Sequence, residues 1–322
     1  MMLSPHIKIL ISQKKYSKLL SSDIFTPIQT GCALTPTRFH GMLHDDEGEN
    51  ISQLNAFFCE LTAIYWAWKN YDKLGAPDYI GFMHHRRHFI FNEHPQVTTP
   101  PGYVEFQAWD ADYLRACSLC DAEVRQMLVG YDAIIPKPIR VGRVYDQYAQ
   151  CHRIADYDLA LQLLHARHPE MQALAEQYNR GLLSYAWLMG IYKKEVFFRY
   201  CEWLFGLLLE LYPRLHLTEA DPYQARACGF IAERLTGMYF LKLRQEGLRM
   251  RELHVSLVHR TEALYLPELH MPPGLSRTLA LMARKNRLRL QYCYYSLKYA
   301  LSRKPKHLTH LRLIKETLHN HI

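Results

Sequence analysis

The sequence predicts an α/β fold with a mixed sheet flanked by helices. Short apolar segments of strand length, each bounded by turn residues, alternate along the chain with longer segments whose apolar residues recur every three or four positions. This alternation is typical of layered α/β folds. The chain is also 322 residues long and 49% hydrophobic, which is enough to bury a sizeable core.

The predicted elements follow from these patterns. Strands are predicted over residues 7–12, 25–32, 79–83, 131–135 and 184–192. Helices with one apolar face are predicted over residues 53–71, 110–129, 156–165, 170–178, 195–212 and 222–246. No stretch approaches the run of ~20 apolar residues that spans a bilayer.

Positive charge is concentrated near the carboxyl end of the sequence. The formal net charge is +8, and residues 271–322 contain eleven Lys or Arg against one acidic residue, Glu316, so the rest is close to neutral. We therefore expect two parts, a domain over residues 1–266 and a basic, amphipathic, helical extension over residues 267–322. The proline-rich residues 267–274 mark the predicted boundary.

The extension interleaves its basic residues with tyrosines such as Tyr294, Tyr295 and Tyr299. A basic, aromatic, amphipathic helix suits the surface of an anionic membrane. Nucleic acid could attract it through phosphate neutralisation and stacking, but we do not expect that partner. The alternative is a helix whose tyrosines pack on the body while its charges are solvated.

The cysteines indicate a reducing compartment. Eight are scattered along the sequence, and the apolar run near its start is five residues long, too short for a signal peptide. Scattered cysteines without a leader are typical of cytoplasmic proteins. Cys117 and Cys120 form one CxxC without a second pair, so we interpret them as helix residues rather than zinc ligands.

The segment YIGFMHHRRHF, residues 79–89, is the strongest candidate for a binding site. A short apolar strand is followed by three histidines and two arginines: His84, His85, Arg86, Arg87 and His88. Unpaired cations are costly to bury, and open α/β sheets bind ligands at the carboxyl ends of their strands. Because Arg pairs bidentately with phosphate, the double arginine indicates a phosphate-bearing ligand. The alternative is a solvated or carboxylate-paired edge.

Further candidates lie in turns and at strand ends. Asp45 and Asn50 belong to the acidic turn HDDEGEN, where a carboxylate could receive the ribose of a nucleotide, although an ordinary turn has the same composition. Lys137 follows the predicted strand 131–135 and could contact phosphate. Asp110 and Asp112 form an Asp-x-Asp pair, but their place at a helix start favours capping over metal binding.

Several segments taken together resemble the bacterial family DUF4422. They are DDEGENIS (45–52), FFCELTAIYWAWKN (57–70), YIGFMHHRRHF, YDAIIPKP (131–138), YDQYAQCHRIADYDL (145–159) and GFIAERL (229–235). The resemblance covers about residues 7–255 and implies a GT-A-like, Rossmann-like glycosyltransferase fold acting in capsular or other surface-polysaccharide synthesis. The chain departs from the family pattern at residues 12–15, at His85 and His88, and at residues 185–187, which could alter the choice of acceptor.

The resemblance also implies a nucleotide-diphosphate-sugar donor, with a UDP-sugar favoured. Many GT-A enzymes hold the diphosphate through a metal bound by an Asp-x-Asp motif at a strand end. Here the comparable strand ends in His84, Arg86 and Arg87. We therefore predict that these side chains bind the diphosphate directly as fixed cations, without a clear need for a divalent metal.

An inverting transferase also needs a general base. Glu233, within the segment GFIAERL, is the favoured candidate, and Asp158 is the second. Glu233 could instead pair with Arg226 or Arg234 in a buried salt link.

Three residues are predicted to contact the acceptor: Tyr185, Trp187 and His152. For the first two, a place in the hydrophobic core is the alternative. Glu60, which has apolar neighbours in its predicted helix, is expected to pair with Arg86 or Arg87.

Together these observations predict a bacterial glycosyltransferase that moves a sugar from a nucleotide-diphosphate donor to a capsule, O-antigen or lipooligosaccharide acceptor. The acceptor is expected to be a glycan, lipid-linked at the inner face of the cell membrane, where the basic extension would hold the protein peripherally. The alternatives are a phosphosugar transferase and a non-enzymatic basic protein that binds membranes or nucleic acid.

Overall fold

The computed structural model describes residues 4–261, 263 and 277–320. The chain forms two compact units. The first comprises the described residues up to Lys14 together with Leu19–Arg260, and the second comprises Lys15–Lys18 and the described residues from Thr261 onward. The predicted boundary at 267–274 lies outside the described residues, so the division at residue 266 stays a prediction.

The strands of the first unit are short. They are β1 (Ile7–Gln13), β2 (Phe25–Gln29), β3 (Leu43–His44), β4 (Tyr79–His84), β5 (Arg87–Phe89), β6 (Val104–Ala108), β7 (Ala133–Pro136), β8 (Ile139–Arg140), β9 (Leu183–Ser184), β10 (Gly190–Lys193), β11 (Met250–Leu253) and β12 (Val255–Arg260).

Within the described residues, ten of these strands form one mixed sheet. Its main order is β11-β7-β10-β4-β1-β2-β3, and β5, β6 and β12 continue it from β4. Strands β4, β1, β2 and β3 are parallel, whereas β10 runs antiparallel to both β4 and β7. The predicted α/β class with a mixed sheet is therefore confirmed.

The helices of the first unit are α1 (Asn55–Phe58), α2 (Leu61–Lys69), α3 (Ala111–Ala116), α4 (Asp121–Leu128), α5 (Val144–Cys151), α6 (Ile154–Arg167), α7 (Gln172–Arg180), α8 (Lys194–Leu211) and α9 (Ala227–Gln245). They cover both faces of the sheet, because side chains alternate along β1. Leu10 packs in the cluster that contains α2, α8 and α9, whereas Ile9 and Ile11 pack in the cluster that contains α3 and α4. A strand buried on both faces explains the continuous apolar run in the sequence.

Three predicted elements are interrupted in the structure. The helix predicted over residues 53–71 breaks at Cys59, whose φ is 53°. The helix predicted over 110–129 breaks between Cys117, which ends α3, and Cys120, which precedes α4, so the CxxC is not helical throughout. The strand predicted over 184–192 is also wrong in its middle, where Trp187 and Leu188 have φ values of 77° and 46°.

The second unit contains two helices, α10 (Arg277–Ser302) and α11 (Pro305–Asn320). They pack against each other, with the rings of Tyr295 and His310 stacked at 4.5 Å between centroids. None of the helices formed by the described residues combines the length and the apolar character that crossing a bilayer requires.

Candidate active site

A cavity of about 820 Å³ opens at the carboxyl ends of three parallel strands. Ser12 lies near the end of β1, Thr30 directly follows β2, and His84 ends β4, and all three line the cavity. Its remaining wall includes the break between α1 and α2 and the first turns of α9. Ligands of open α/β sheets bind in this position.

The segment 79–89 forms a tight hairpin rather than a strand that simply ends. His85 and Arg86 make the turn between β4 and β5, and His84 pairs with Arg87 across the hairpin. Because paired residues of antiparallel strands share a face, His84 and Arg87 lie together at the cavity. His88 points to the opposite face, where its Nδ1 lies 2.6 Å from the hydroxyl of Tyr113.

The histidines of this segment are neutral, which corrects the prediction that His84 acts as a cation. Burial and the neighbouring Arg87 lower the pKa of His84 to about 4. Its Nε2 lies 2.7 Å from the carbonyl oxygen of Trp187, which can only accept, so Nε2 carries the proton. Burial likewise lowers the pKa of His85 to about 4 and that of His88 to about 3. The positive charge of the hairpin therefore resides on its two arginines.

Both arginine side chains line the cavity without a carboxylate partner. Arg86 is exposed, and its guanidinium makes no hydrogen bond or ion pair with the residues that the structure describes. Arg87 is half-buried, and its Nε is buried without a hydrogen-bond partner in that part of the chain. The ring of Trp187 covers the Arg87 guanidinium at 5.9 Å. A buried donor without a hydrogen-bond partner lowers the stability of the fold by about 1–3 kcal/mol. A bound anion that accepts from this donor would offset that loss.

Glu60 lies beside this pair but contacts a different residue from the one predicted. Its Oε1 is 3.6 Å from Nε2 of His84, whereas Arg87 acts on it only at longer range. Burial raises the pKa of this carboxyl, and Arg87 and Arg226 oppose that shift.

Glu233 and His84 hold the Trp187 peptide from opposite sides. Glu233 accepts a hydrogen bond from the Trp187 N–H at 3.1 Å, and His84 donates to its carbonyl oxygen at 2.7 Å. A positive φ is unfavourable for a large side chain, so these two bonds stabilise the conformation that places the Trp187 ring over Arg87. The second oxygen of Glu233 pairs with Arg234 at 2.9 Å, as the alternative interpretation anticipated.

Another part of the cavity wall is aromatic. His152 stacks on Phe230 at 3.9 Å between ring centroids and faces Tyr223 at 5.6 Å, while the Arg226 guanidinium lies 5.2 Å from the centre of the Phe230 ring. The sequence patterns indicated His152 but no binding role for Tyr223, Phe230 or Arg226. Positions 226, 230 and 233 share one helical face, and that spacing could have indicated them once Glu233 was chosen.

Two of the predicted nucleotide contacts have structural roles instead. Asp45 is fully buried and accepts hydrogen bonds from the backbone N–H groups of Gly31 and Cys32 and from the hydroxyls of Ser52 and Thr62. No acceptor site faces solvent, so the ribose prediction is wrong for Asp45. The side-chain amide of Asn50 donates to the carbonyl oxygens of Asp46 and Gly48, which closes the acidic turn away from the cavity.

Three other predicted residues also lie outside the cavity lining. The Nζ atom of Lys137 lies 3.4 Å from Nε2 of His254, and the Tyr185 hydroxyl donates a hydrogen bond to the Glu252 carboxylate. Asp158 accepts a hydrogen bond from the Tyr145 hydroxyl at 2.7 Å. Of the predicted site residues, the cavity therefore brings together His84, Arg86, Arg87, Trp187, His152 and Glu233, whereas Asp158 lies outside its lining.

The residues present fit an anion better than a metal. Asp110 caps α3 by accepting from the Tyr113 N–H, and Asp112 pairs with Arg115. Glu233 is paired with Arg234, and no three His, Cys, Asp or Glu side chains among the described residues converge as metal ligands. Basic residues of the lining outnumber acidic ones: Lys14, Arg86, Arg87, Arg226 and Arg234 face Glu60 and Glu233.

Comparisons with known proteins agree with the motifs. Residues 8–245 match the family described as a domain of unknown function, DUF4422, which confirms the resemblance. A solved structure described as the apo form of the bifunctional glycosyltransferase WbbM superposes with a TM-score of 0.74 at 32% sequence identity. The alignment covers 81% of this chain and 47% of that one, so this chain spans about half of the length of WbbM. No curated protein matches the sequence.

Proposed function

The chain belongs to the DUF4422 family, and from that premise we propose that it is a glycosyltransferase that uses a nucleotide-diphosphate-sugar. The observation that carries the proposal is the cavity at the ends of β1, β2 and β4, with two unpartnered arginines at one hairpin. The likeness to part of a bifunctional glycosyltransferase supports the same activity. We expect a UDP-sugar donor.

The arginines would act on the leaving group. When the bond between the sugar and the diphosphate breaks, negative charge develops on the departing oxygen. Fixed guanidinium groups stabilise that charge without reorganising, and one such donor contributes on the order of 3 kcal/mol to a transition state. Arg87 is already held in place by Trp187, so its part of this site is organised before the substrate binds.

Glu233 would act on the acceptor. In an inverting reaction a carboxylate removes the proton of the attacking hydroxyl. Glu233 lines the cavity, and its contact with Trp187 keeps it beside the Arg87 end. A carboxylate has about four lone-pair positions, so the bonds to Trp187 and Arg234 leave capacity for an acceptor hydroxyl.

The acceptor is expected to be a surface glycan of the capsule, O-antigen or lipooligosaccharide type, lipid-linked at the inner face of the bacterial membrane. The basic helices α10 and α11 support a peripheral membrane position. Exposed cations such as Arg287, Arg289 and Lys298 lie on α10 near the exposed rings of Tyr292 and Tyr294.

A nucleotide screen by thermal shift in EDTA tests the proposal. UDP or another nucleoside diphosphate should raise the midpoint temperature of thermal unfolding. In transfer assays, the matching sugar nucleotide should release that diphosphate. Arg86→Ala and Arg87→Ala should weaken nucleotide binding at least about tenfold each. Arg115→Ala, which removes an exposed arginine of α3, is the control and should bind normally.

Three outcomes would count against the proposal. Absence of any nucleotide response would contradict the transferase, and release of a sugar phosphate instead of a nucleoside diphosphate would favour a phosphosugar transferase. Strict dependence of binding on Mn²⁺ would contradict the role given to the arginines.

A further inference from the structure

The start of α9 contributes part of the cavity wall. Arg226, which directly precedes α9, is followed at spacings of four and three residues by Phe230 and Glu233, so the three lie on the same side of the helix, and all three line the cavity. At 1.5 Å of rise per residue, Arg226 and Glu233 are separated by about 10 Å along the axis. That distance accommodates roughly two sugar rings side by side.

The ring systems at the Arg226 end form an open platform. His152, Tyr223 and Phe230 contact one another, with centroid distances of 3.9, 5.6 and 5.2 Å. Tyr223 is 51% exposed, so one surface of the platform stays accessible. Burial lowers the pKa of His152 to about 4, which keeps its ring uncharged. Aromatic walls with a few polar groups are typical of sites for small organic ligands.

Arg226 lies beside this platform, and the two terminal nitrogens of its guanidinium form a fork that is available to a ligand. Its Nε lies 3.2 Å from Sγ of Cys59, and its guanidinium is seated near the Phe230 ring. The two terminal nitrogens have no hydrogen-bond partner among the residues that the structure describes. A guanidinium held at one edge with its fork free is arranged for bidentate binding of a carboxylate or phosphate.

Glu233 contacts Trp187, whose ring covers Arg87, and Phe230 and Arg226 lie three and seven residues before it on the same side of the helix. A general base stands between donor and acceptor, so the Arg226 end falls on the acceptor side. This order rests on the proposed function.

We propose that His152, Tyr223, Arg226 and Phe230 form an acceptor subsite for a sugar that carries an anionic group. The sugar face rests on the aromatic platform, and the Arg226 fork pairs with a carboxylate or phosphate on the acceptor. The lining contains five basic and two acidic residues, so its net positive charge is larger than one donor diphosphate neutralises. A negative charge on the acceptor would neutralise the rest.

Titrations of the full chain with three probes test the subsite, each with and without UDP. The probes are methyl β-glucoside, methyl β-glucuronide and glucose 6-phosphate, followed by ligand-observed NMR. We expect one or both charged probes to bind about tenfold more tightly than the neutral one, and whichever does so identifies the group. Arg226→Gln should remove this preference, Arg226→Lys should restore part of it, and Tyr223→Ala should weaken all three probes.

The controls separate the subsite from the donor site. UDP affinity should stay within about twofold of wild type in Arg226→Gln and Tyr223→Ala, and Arg115→Gln should change nothing. A tenfold loss of UDP affinity in either subsite variant would show that the platform holds the nucleobase and would overturn the proposal, as would equal binding of all three probes. Failure of UDP to bind wild type contradicts the transferase, whereas Arg226-dependent binding of a charged probe would still support the subsite.

Discussion

Glu233 combines a structural role with a proposed chemical one. Its carboxylate accepts a hydrogen bond from the Trp187 N–H, and in the proposed reaction it is also the general base. These roles can be separated in part. An amide oxygen can still accept the Trp187 hydrogen bond and an amide is not a base at neutral pH, although the NH₂ group of the glutamine would then face the Arg234 guanidinium.

We therefore predict that Glu233→Gln lowers kcat by about 10²–10⁴-fold with little change in nucleotide affinity. Glu233→Ala should lose both functions and additionally weaken nucleotide binding, because Trp187 no longer covers Arg87. Steady-state kinetics and tryptophan fluorescence on UDP addition provide the two readouts. Wild-type turnover in Glu233→Gln would exclude Glu233 as the base.

The sequence predicted that the His-His-Arg-Arg-His segment is important, but not which of its side chains face the cavity. Strand propensity shows that residues 79–83 form a strand, yet it does not show that the chain reverses at His85 and Arg86. The reversal sends His88 to the far face and leaves Arg87 at the cavity. The low pKa of His84 depends on burial and on the neighbouring Arg87, and the proton on its Nε2 is placed by Trp187, 103 residues further along, which no local pattern reveals.

Among the elements, Asp45 joins three segments of the first unit. It accepts from the backbone N–H groups of Gly31 and Cys32 at the start of one 3₁₀ turn, from the hydroxyl of Ser52, and from that of Thr62 in α2. Both oxygens accept a backbone N–H, so an amide in either orientation would place its NH₂ group against a donor.

Asp45→Asn should therefore reduce the free energy of unfolding by about 3 kcal/mol. Asp46→Asn is the matched control, since Asp46 pairs with Arg38 nearer the surface and should cost less than about 1 kcal/mol. Urea unfolding measures both. Equal stability of the two variants would mean that the Asp45 network contributes little.

The boundaries of helices and strands can be predicted where the apolar periodicity ends. They cannot be predicted where a tertiary contact interrupts an element whose apolar pattern continues. The apolar face of residues 53–71 continues through Cys59, so the pattern predicts one helix where the structure has two. The apolar run 184–192 predicts a strand, but the bonds from Glu233 and His84 hold Trp187 in a left-handed conformation.

At the scale of the whole molecule, the charge of α10 should determine membrane binding. Replacing Arg287, Arg289 and Lys298 by Gln should lower affinity for vesicles containing anionic lipid by at least about tenfold. The control replaces three exposed arginines of the first unit, Arg115, Arg143 and Arg180, and removes the same charge. Equal loss in both variants, or binding that is insensitive to salt, would contradict a specific role for α10.

The buried histidines should make the protein acid-sensitive. In an unfolded chain a histidine takes up a proton near pH 6.5, whereas burial lowers the pKa of His84 to about 4 and of His88 to about 3. Between the folded and unfolded pKa values, the unfolded state therefore binds more protons than the folded state. Each such histidine lowers the free energy of unfolding by about 1.4 kcal/mol for every pH unit below 6.5.

His85 and His152 act in the same direction, while Glu60 and Asp156, whose pKa values are raised by burial, oppose them. The free energy of unfolding from urea titrations should consequently decrease from pH 7 to pH 5.5. His94→Gln, at an exposed position, should leave that slope unchanged. A stability that is constant over this range would contradict the neutral state of these histidines.

A crystal structure of the full chain with UDP, grown in EDTA, would locate the diphosphate. We expect it within hydrogen-bonding distance of the Arg86 and Arg87 guanidinium groups, at the hairpin between β4 and β5. A diphosphate bound elsewhere, with these two arginines turned towards Glu60 and Glu233, would contradict this expectation.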